Sequence, residues 1–398
     1  MMSVISDFVS EQYDKWSYPQ PIMDLPSWLN KHWQWFDPSH SHHLFWPNCD
    51  YPAKLDILVA GCGSNQAAVL AYTNPTAQVV AIDVSKTALK HHEYLKKQYQ
   101  LKNLELQHLP IEQVNQLNRE FDLIISTGVL HHLLDPLIGL QSLAQCLRAE
   151  GVMALMLYAK YGRAGVEMLQ GVFRDLGLQQ DGESIAVVQA ALSSLPVDHP
   201  LHVYMRLTPD LKFNAGLVDT FLHRRDRSYT VDDCLELVDS SGLVFQDWYF
   251  KSPYYPGIHP ENSFYDALAQ QPLKKQWAVM ERIAFRNACH FFMACHPMRS
   301  KEKYQFDFES DAILHAIPSY RYKCFLDGQQ ICRPDWKLEL ENDDLKIVRL
   351  IDGSRSIVEI IQRFILSESL DFDEVKNHTL MLLKLLVHRD FLLLKQSV

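Results

Sequence analysis

The sequence predicts an α/β protein in which a mostly parallel sheet carries helices on both faces. An apolar run over 55–59 is rich in β-branched residues and stops at a Gly-Cys-Gly turn over 61–63, which is typical of a buried strand entering a tight turn. Residues 66–72 are Ala-rich and free of helix breakers, and a second apolar run over 78–82 ends in Asp83. The alternation continues downstream, and alternating strands and helices build parallel sheets.

This strand, glycine turn, helix, strand and acid form the opening of a nucleotide-binding βαβ unit. Glycines allow the backbone to approach a ligand, and the start of the helix offers free N–H groups. A carboxylate after the second strand, here Asp83, can accept hydrogen bonds from both ribose hydroxyls. A dinucleotide fingerprint requires a glycine three positions after Gly63, where this chain has Gln66.

Two further motifs narrow the family. The strand FDLIIS over 121–126 runs into TGVLHHL over 127–133. Together with VAGCGSNQ (59–66) and AIDVS (81–85), this sequence resembles the class I S-adenosylmethionine-dependent methyltransferases over roughly residues 50–160. The resemblance implies a doubly wound, seven-stranded Rossmann-like sheet with an antiparallel last strand. It also implies S-adenosylmethionine as the cofactor and S-adenosylhomocysteine as the product.

The remaining elements of the sheet are predicted downstream. Residues 136–148 are expected to form a helix and 152–158 the fifth strand. An N-capped helix over 229–241 precedes a strand over 243–250, and 289–295 forms the last strand. These strands correspond to the sixth and seventh strands of the methyltransferase sheet.

The resemblance assigns cofactor contacts to particular residues. An aromatic residue of the N-terminal segment, Tyr18, is expected over the methionine end, since an aromatic face suits a sulfonium cation. Two departures are Val59, where the family usually has an acid, and Asn65, where it has a third glycine; Asn tolerates a positive φ. The expected cofactor-binding residues are Tyr18, Ala60, Gly61, Cys62, Gly63, Asn65, Asp83, Val84, Ile111, Thr127 and Gly128.

The catalytic residues are harder to predict, because methyl transfer from a sulfonium mainly requires alignment of the nucleophile and removal of a proton. The two histidines after the fourth strand could instead pack in the core, and the charged string 219–227 could be a surface salt-bridge network. His132 is a further candidate, and so are the other residues of the string 219–227. The predicted catalytic residues are His131, Tyr158, His223 and Asp226.

The chain is predicted to contain three parts. Residues 1–50 form an aromatic arm, and residues 51–298 form the methyltransferase domain with insertions at 161–228 and 252–287. Residues 299–398 contain three amphipathic helices (345–351, 357–365 and 372–387) and a strand (391–394), a pattern that resembles the winged-helix modules of some bacterial methyltransferases. That module carries 14 Lys+Arg against 17 Asp+Glu, which disfavours DNA binding. We expect it to contact a protein or a second copy of the chain.

Composition excludes several classes of function. The net charge of −10 argues against a broad nucleic-acid interface, and no apolar run is long enough to span a membrane. The eight cysteines contain no CxxC pair, which indicates a reduced, cytoplasmic setting. The histidines at 40, 42 and 43 have no acidic or cysteine companions, so no metal site is predicted.

The sequence therefore predicts a cytoplasmic methyltransferase whose acceptor is a protein side chain or a sizeable metabolite. One alternative is a non-catalytic module that binds a partner, suggested by Val59, Asn65 and by Pro110, which replaces an acid near the adenine position. It predicts negligible cofactor affinity. The other is a dehydrogenase-type Rossmann enzyme, which predicts a nicotinamide cofactor instead.

Overall fold

The structure, a computed structural model, describes residues 8–51, 54–257, 261–368 and 371–396. The strands are β1 (Asp56–Ala60), β2 (Gln78–Asp83), β3 (Leu104–His108), β4 (Phe121–Thr127), β5 (Leu147–Tyr158), β6 (Val244–Trp248), β7 (Cys289–Cys295), β8 (Ile317–Tyr320), β9 (Phe325–Asp327), β10 (Gln330–Arg333), β11 (Trp336–Glu339) and β12 (Leu392–Lys395). The helices are α1 (Phe8–Lys15), α2 (Leu25–Leu29), α3 (Pro38–Phe45), α4 (Gln66–Thr73), α5 (Lys86–Tyr99), α6 (Pro136–Ala144), α7 (Ala164–Asp175), α8 (Gly182–Ser193), α9 (Leu201–Leu207), α10 (Asn214–Phe221), α11 (Val231–Ser240), α12 (Ser263–Ala269), α13 (Leu273–Ile283), α14 (Asn342–Arg349), α15 (Ile357–Glu368) and α16 (Phe372–His388).

Seven strands form the main sheet, in the order β3-β2-β1-β4-β5-β7-β6. The pairs from β3 to β5 are parallel, with Val59 opposite Ala81 and Ile125 opposite Ala154. β7 runs antiparallel to β5, with Cys289 opposite Tyr158. The predicted fold class and the antiparallel last strand are confirmed.

The centre of the sheet is buried on both faces, which explains its continuous apolar strands. Residues 57–60 of β1 and 123–125 of β4 are fully enclosed, and α4 buries 66–71 against the sheet. Because β1, β2, β4 and β5 are parallel, their carboxyl ends lie at one edge, where open α/β sheets bind ligands.

Two predicted boundaries are wrong. α6 ends at Ala144, and β5 begins at Leu147, which pairs with Phe121. Residues 147–151 are therefore strand, although the sequence predicted a helix to 148. The reason is a pair of ionic contacts: Arg148 binds Asp122 at 2.6 Å and Asp56 at 2.7 Å, tying β5 to the starts of β4 and β1.

The predicted insertion at 161–228 is helical and has its own apolar core. Helices α7, α8, α9 and α10 pack together around side chains that are almost completely buried: Val166, Phe173, Val188, Leu201, Val218 and Phe221. α10 ends at Phe221, within the charged string 219–227. This places the end of the insertion beside the carboxyl end of β5, where Tyr158 contacts Asp219.

Contacts among the described residues divide the chain into two compact units. The first lies within Met1–Phe36, Ala53–Asp247 and Glu281–Met298, and the second within Asp37–Pro52, Trp248–Met280 and Arg299–Val398. The predicted domains differ from this division, since they assigned 37–50 to the arm and 248–280 to the methyltransferase domain.

Specific contacts hold those two segments within the second unit. Arg299 donates a hydrogen bond to the carbonyl of Phe45 at 2.8 Å. Asp390 accepts from the backbone N–H groups of Lys251 and Ser252, each at 2.9 Å, and pairs with the buried Arg321. All of these pairings connect residues more than 60 positions apart, so no local pattern predicts them.

The second unit contains the three predicted C-terminal helices, as α14, α15 and α16, and the predicted final strand as β12. They enclose an apolar core that includes Ile347, Ile360, Ile361 and Leu383. β12 pairs with β8, and β9, β10 and β11 form a small antiparallel sheet that the sequence did not predict. None of the helices in the described ranges has the length and apolarity needed to cross a bilayer.

Candidate active site

The turn after β1, residues 60–65, is referred to as the glycine turn. Gly61 and Gly63 have φ values of +75° and +52°, which favour glycine strongly. A Cβ atom on Gly61 would lie 2.5 Å from Cγ2 of Val129, so a side chain has no room there. The N–H groups of Gly61 and Cys62 bond the carbonyl of Ile82, which holds the turn against the end of β2.

Asp83 lies at the end of β2 and holds the other side of the glycine turn. One carboxylate oxygen accepts the N–H of Gly63 and the other accepts the N–H of Ser85, each at 2.8 Å. Burial raises the pKa of Asp83 to about 6, against the opposing effect of these N–H donors. Each carboxylate oxygen has a second lone pair, so Asp83 can still accept hydroxyl groups of a ligand.

The other predicted cofactor residues surround this turn. Gln66 donates a hydrogen bond to the hydroxyl of Thr127 at 3.1 Å, and Gly128 has a φ of +74°. His108 donates to the carbonyl of Val84 at 3.0 Å. Ala60, Cys62 and Ile111 are buried.

Asn65 behaves differently from the prediction. It lies at the N-cap position of α4 with a φ of −132°, so the turn does not use the positive φ that asparagine tolerates, and its side chain does not cap the helix. Instead, its Oδ1 accepts the N–H of Ile22 and its Nδ2 donates to the carbonyl of Gln20, each at 2.8 Å. The residue ties the N-terminal arm to the glycine turn.

The arm over residues 8–22 crosses the glycine turn. Ser64 donates to the carbonyl of Pro19, and a Cβ on Gly63 would lie 3.1 Å from Cδ of Pro19. Farther along the arm, Asp14 accepts from the hydroxyl of Ser85 at 2.8 Å and from the N–H of Thr87 at 3.1 Å. The arm is therefore tied to the ends of both β1 and β2.

A second group of side chains, here named the acceptor cluster, lies at the carboxyl ends of β4 and β5. At its centre is Asp219 of α10, which is 2% exposed and accepts from the hydroxyls of Tyr13 at 2.8 Å and Tyr158 at 3.3 Å. Burial raises the pKa of Asp219. The cluster consists of Tyr13, His131, His132, Tyr158, Arg163, Asp219, His223 and Asp226.

Three histidines form part of the cluster. His131 stacks on Tyr158 with ring centroids 3.9 Å apart, and His132 stacks on His223 at the same centroid distance. Burial holds the pKa values of His131 and His223 well below the usual range, so both are neutral at pH 7. In the described part of the chain, neither ring nitrogen of His131 has a hydrogen-bond partner.

A buried ion pair closes the far side of the cluster. Arg163, 1% exposed, binds Asp226 at 2.8 Å and lies over the ring of Tyr158 with its guanidinium carbon 3.7 Å from the centroid. Gln170 also donates to Asp226 at 2.7 Å. Tyr18 lies close by and donates to Asp210 at 3.0 Å.

The structure thus brings together the four predicted catalytic residues, His131, Tyr158, His223 and Asp226, and their roles stay predictions. It adds Arg163, which the sequence reasoning missed, and Tyr13, which lies in the aromatic arm but was not named as a site residue. Tyr13 belongs to the aromatic string of the arm, which was a usable signal. Arg163 had none, because a single arginine after a strand looks like any surface residue.

Comparison with known proteins identifies the domain that holds the glycine turn. Residues 58–153 match the sequence model of a family described as a methyltransferase domain, and this segment runs from β1 through the glycine turn and Asp83 into β5. The chain carries a methyltransferase domain, and S-adenosylmethionine is its cofactor.

Relatives of this methyltransferase include a protein that matches it almost from end to end. An uncharacterized protein of Synechococcus sp. is 26% identical over 94% of this chain and 92% of its own length. Malonyl-[acyl-carrier protein] O-methyltransferase of Acetivibrio thermocellus is 31% identical, but over 27% of this chain and 38% of that protein. Neither match identifies the acceptor of this methyltransferase.

A solved structure also resembles the methyltransferase over most of its length. PKMT2 from Rickettsia typhi superposes with a TM-score of 0.65, covering 91% of this chain and 76% of that one at 12% sequence identity. A second structure of that protein, in complex with AdoHcy, gives a TM-score of 0.63. At this identity the likeness shows a shared fold.

The glycine turn of the methyltransferase fits its cofactor on three observations. Gly61 and Gly63 adopt positive φ values at positions where an added Cβ would crowd neighbouring atoms, so the tight turn requires glycine at both. The first turn of α4, from Gln66, presents N–H groups toward the same edge. Asp83 keeps acceptor capacity beside them, which suits the two ribose hydroxyls.

Proposed function

We propose that this methyltransferase transfers a methyl group from S-adenosylmethionine to an amino group of a protein side chain bound at the acceptor cluster. The observation that carries the proposal is Asp219. It is a buried carboxylate whose hydrogen bonds come from the uncharged hydroxyls of Tyr13 and Tyr158, whereas the neighbouring Asp226 is paired with Arg163. An ammonium group would supply the counter-charge that Asp219 lacks.

The proposed reaction needs proton removal before transfer. S-adenosylmethionine supplies an activated methyl group on a positively charged sulfur. The acceptor enters as an ammonium ion, is held by Asp219 and the surrounding tyrosine rings, and gives up one proton to a group of the cluster. The freed nitrogen lone pair then forms a bond to the methyl carbon while the carbon–sulfur bond breaks. The products are S-adenosylhomocysteine and a methylated ammonium ion.

The cofactor-binding roles predicted for residues of the glycine turn, Asp83 and the arm belong to the same proposal. Pro19 and Ile22 lie across the turn, and Tyr13 and Tyr18 reach toward the acceptor cluster. The arm thereby excludes water from both regions, which strengthens the electrostatic interactions inside. The roles of Val84, Ile111, Thr127 and Gly128 are proposed on their position alone.

A protein acceptor is favoured over a small metabolite for two reasons. The chain devotes its second unit to elements that are not part of the main sheet, and we propose that the winged-helix-like helices α14–α16 contact a protein substrate or a second copy of the chain. PKMT2 from Rickettsia typhi matches 91% of this chain, so the resemblance extends beyond the cofactor domain. A cytoplasmic location is also proposed, because all eight cysteines are free thiols.

The alternative acceptor for a methyltransferase is a carboxyl group. A carboxylate placed beside Asp219 would add like charge in a buried site, which is unfavourable. Asp219 of the acceptor cluster therefore favours an amine as the acceptor. The non-catalytic alternative and the dehydrogenase alternative both predict that no methyl group is transferred.

The test uses S-adenosylmethionine with a tritiated methyl group. A bacterial extract is dialysed, and the retained proteins and the small molecules of the dialysate are each offered as acceptors. We expect label in the protein fraction that survives mild base and appears as methylated amino acids after acid hydrolysis. Asp198→Asn, at an exposed turn, is the control variant and should transfer label as the unmodified chain does. Label released by mild base would mean a carboxyl acceptor, label in the small-molecule fraction a metabolite, and no label a non-catalytic module.

A further inference from the structure

The backbone of Arg225 contacts both stacked histidines of the acceptor cluster. Its carbonyl lies 2.8 Å from Nδ1 of His132, and its N–H donates to Nδ1 of His223 at 3.0 Å. A backbone carbonyl can only accept a hydrogen bond, and a backbone N–H can only donate one. Nδ1 of His132 must therefore carry a proton, and Nδ1 of His223 must not.

These two contacts fix opposite neutral tautomers on the two rings. His132 has its proton on Nδ1 and a free lone pair on Nε2. His223 has a lone pair on Nδ1, which Arg225 uses, and a proton on Nε2. The backbone of one residue, Arg225, thus makes one imidazole a proton acceptor and the other a proton donor at Nε2.

Both Nε2 atoms lie in the interior of the first unit. His132 is 3% exposed and His223 is 7% exposed, and among the described residues neither Nε2 atom has a hydrogen-bond partner. The rings stack with an angle of 20° between their planes, and one ring nitrogen of each lies within 4.8 Å of a carboxylate oxygen of Asp219. A buried, unpaired lone pair on His132 is costly to keep unless a ligand uses it.

We infer that His132 is the general base of the reaction, accepting a proton on Nε2 from the acceptor ammonium, and that His223 is a positioning residue that cannot accept a proton there. The inference rests on the proposed amine acceptor and deepens it. The acceptor N–H bond breaks, its electron pair stays on nitrogen as the nucleophile, and the proton forms an N–H bond to His132.

The surroundings of His132 suit the imidazolium ion that results. Oδ1 of Asp226 lies 3.9 Å from Nδ1 of His132 and has no hydrogen-bond partner among the residues described. A carboxylate at this distance stabilises the positive charge. The same Asp226 is held in place by Arg163 and Gln170, so it is a fixed part of the site.

The same atoms could be considered as metal ligands. Ligand atoms of His132, Asp219 and His223 lie within 4.8 Å of one another in the described structure. The tautomers disfavour a metal held by these three residues, because Nε2 of His223 carries a proton and its Nδ1 already accepts from Arg225. A metal ion bound by His223 would have to displace either the proton on Nε2 or the hydrogen bond that Nδ1 accepts from Arg225.

The matched variants are His132→Asn and His223→Asn. The asparagine amide can replace Nδ1 at each position, as donor to the Arg225 carbonyl or as acceptor from its N–H, while both lack an atom at Nε2. We expect His132→Asn to lower the rate of methyl transfer to the labelled protein fraction by about 10²- to 10⁴-fold, with unchanged affinity for S-adenosylhomocysteine. His223→Asn should lose much less activity. Equal losses, or a larger loss in His223→Asn, would overturn the inference.

A second measurement does not depend on the acceptor. Long-range ¹H–¹⁵N NMR of the full chain labelled with ¹⁵N-histidine reports which ring nitrogen carries the proton, and the two variants assign the signals. We expect His132 protonated on Nδ1 and His223 on Nε2; any other pair of tautomers overturns the inference. One equivalent of Zn²⁺ bound by the unmodified chain and lost in His132→Asn would also overturn it. If the tautomers are as expected but no protein is labelled, the proposed acceptor is wrong rather than the geometry.

Discussion

The glycine turn and the acceptor cluster lie at the same edge of one sheet, yet they present different kinds of chemical groups. The glycine turn offers mostly backbone N–H groups, and its one acid, Asp83, is held by two of them. The acceptor cluster consists of side chains contributed by the arm, the ends of β4 and β5, the start of α7, and α10 with the loop after it. A site built from backbone groups suits a cofactor that all members of a fold share. A site built from side chains can differ between members and so can suit different acceptors.

The arm is the element that the two regions have in common. Its residues 19–22 bond Ser64 and Asn65 at the glycine turn, and Tyr13 bonds Asp219 in the acceptor cluster. Losing the arm should therefore damage both regions, whereas a single substitution should damage one.

The largest effect is expected from Asp83→Ala at the glycine turn. The substitution removes the carboxylate proposed to accept the ribose hydroxyls and also releases the N–H groups of Gly63 and Ser85. A hydrogen bond to a charged group contributes about 1.5–3 kcal/mol, so the Kd for S-adenosylhomocysteine should rise by about a hundredfold. Isothermal calorimetry measures this, and Asp198→Ala at an exposed turn is the control. Unchanged affinity in Asp83→Ala would refute the ribose assignment.

Deletion of residues 1–21 should affect both regions. It removes Tyr13 and Tyr18 from the side of the acceptor cluster and Pro19 from the glycine turn, so we expect weaker cofactor binding and methyl transfer reduced by about tenfold or more. Circular dichroism checks that the sheet remains folded. Turnover equal to that of the full chain would leave the arm with a structural role alone.

The next largest effect is a dependence of cofactor affinity on pH, which we expect at the glycine turn because of Asp83. The pKa of Asp83 is about 6, so the group is ionised above pH 6 and becomes protonated as the pH falls through that value, while the neighbouring Asp14, whose pKa is lowered, stays ionised. The neutral carboxyl is a poorer acceptor, so the Kd for S-adenosylhomocysteine should rise by up to about tenfold between pH 7 and pH 5. Asp83→Asn should remove this dependence. A Kd that stays constant from pH 7 to pH 5 in the unmodified chain would contradict the assignment.

The smallest effects are expected on the free energy of unfolding, from alanine substitutions at two glycines of the first unit. Gly63 has a φ of +52°, and an added Cβ would lie 3.2 Å from the carbonyl oxygen of Tyr18, whereas Gly171 lies inside α7 with nothing within 4 Å of the added atom. Gly63→Ala should lower the free energy of unfolding by about 1–2 kcal/mol. Gly171→Ala should raise it by about 0.5–1 kcal/mol. Urea denaturation measures both, and a neutral Gly63→Ala would mean that the arm does not pack closely on the turn.

The difference between the two regions also explains what the sequence could predict. The glycine turn and Asp83 are encoded within one continuous stretch, so spacing and residue type were enough. Within that stretch Asn65 was misjudged, because its partners Gln20 and Ile22 lie more than forty positions away. The start of β5 was misjudged for a similar reason, since Arg148 is held by Asp56 and Asp122.

The acceptor cluster was predicted only where a motif pointed to it. His131, His223 and Asp226 lie in conspicuous polar strings, but nothing local separates His132 from His131. That distinction depends on the backbone of one residue, Arg225, which contacts the rings of both His132 and His223. Tertiary contacts of this kind assign roles that residue type cannot.

The most direct test of the account is calorimetric titration of Asp219→Asn with S-adenosylhomocysteine, paired with the labelled methyl-transfer assay. If the glycine turn holds the cofactor and the acceptor cluster holds an amine, Asp219→Asn should bind S-adenosylhomocysteine as tightly as the unmodified chain while losing most of its methyl transfer to protein. A loss of cofactor affinity with unchanged transfer at saturating cofactor would contradict that division of roles.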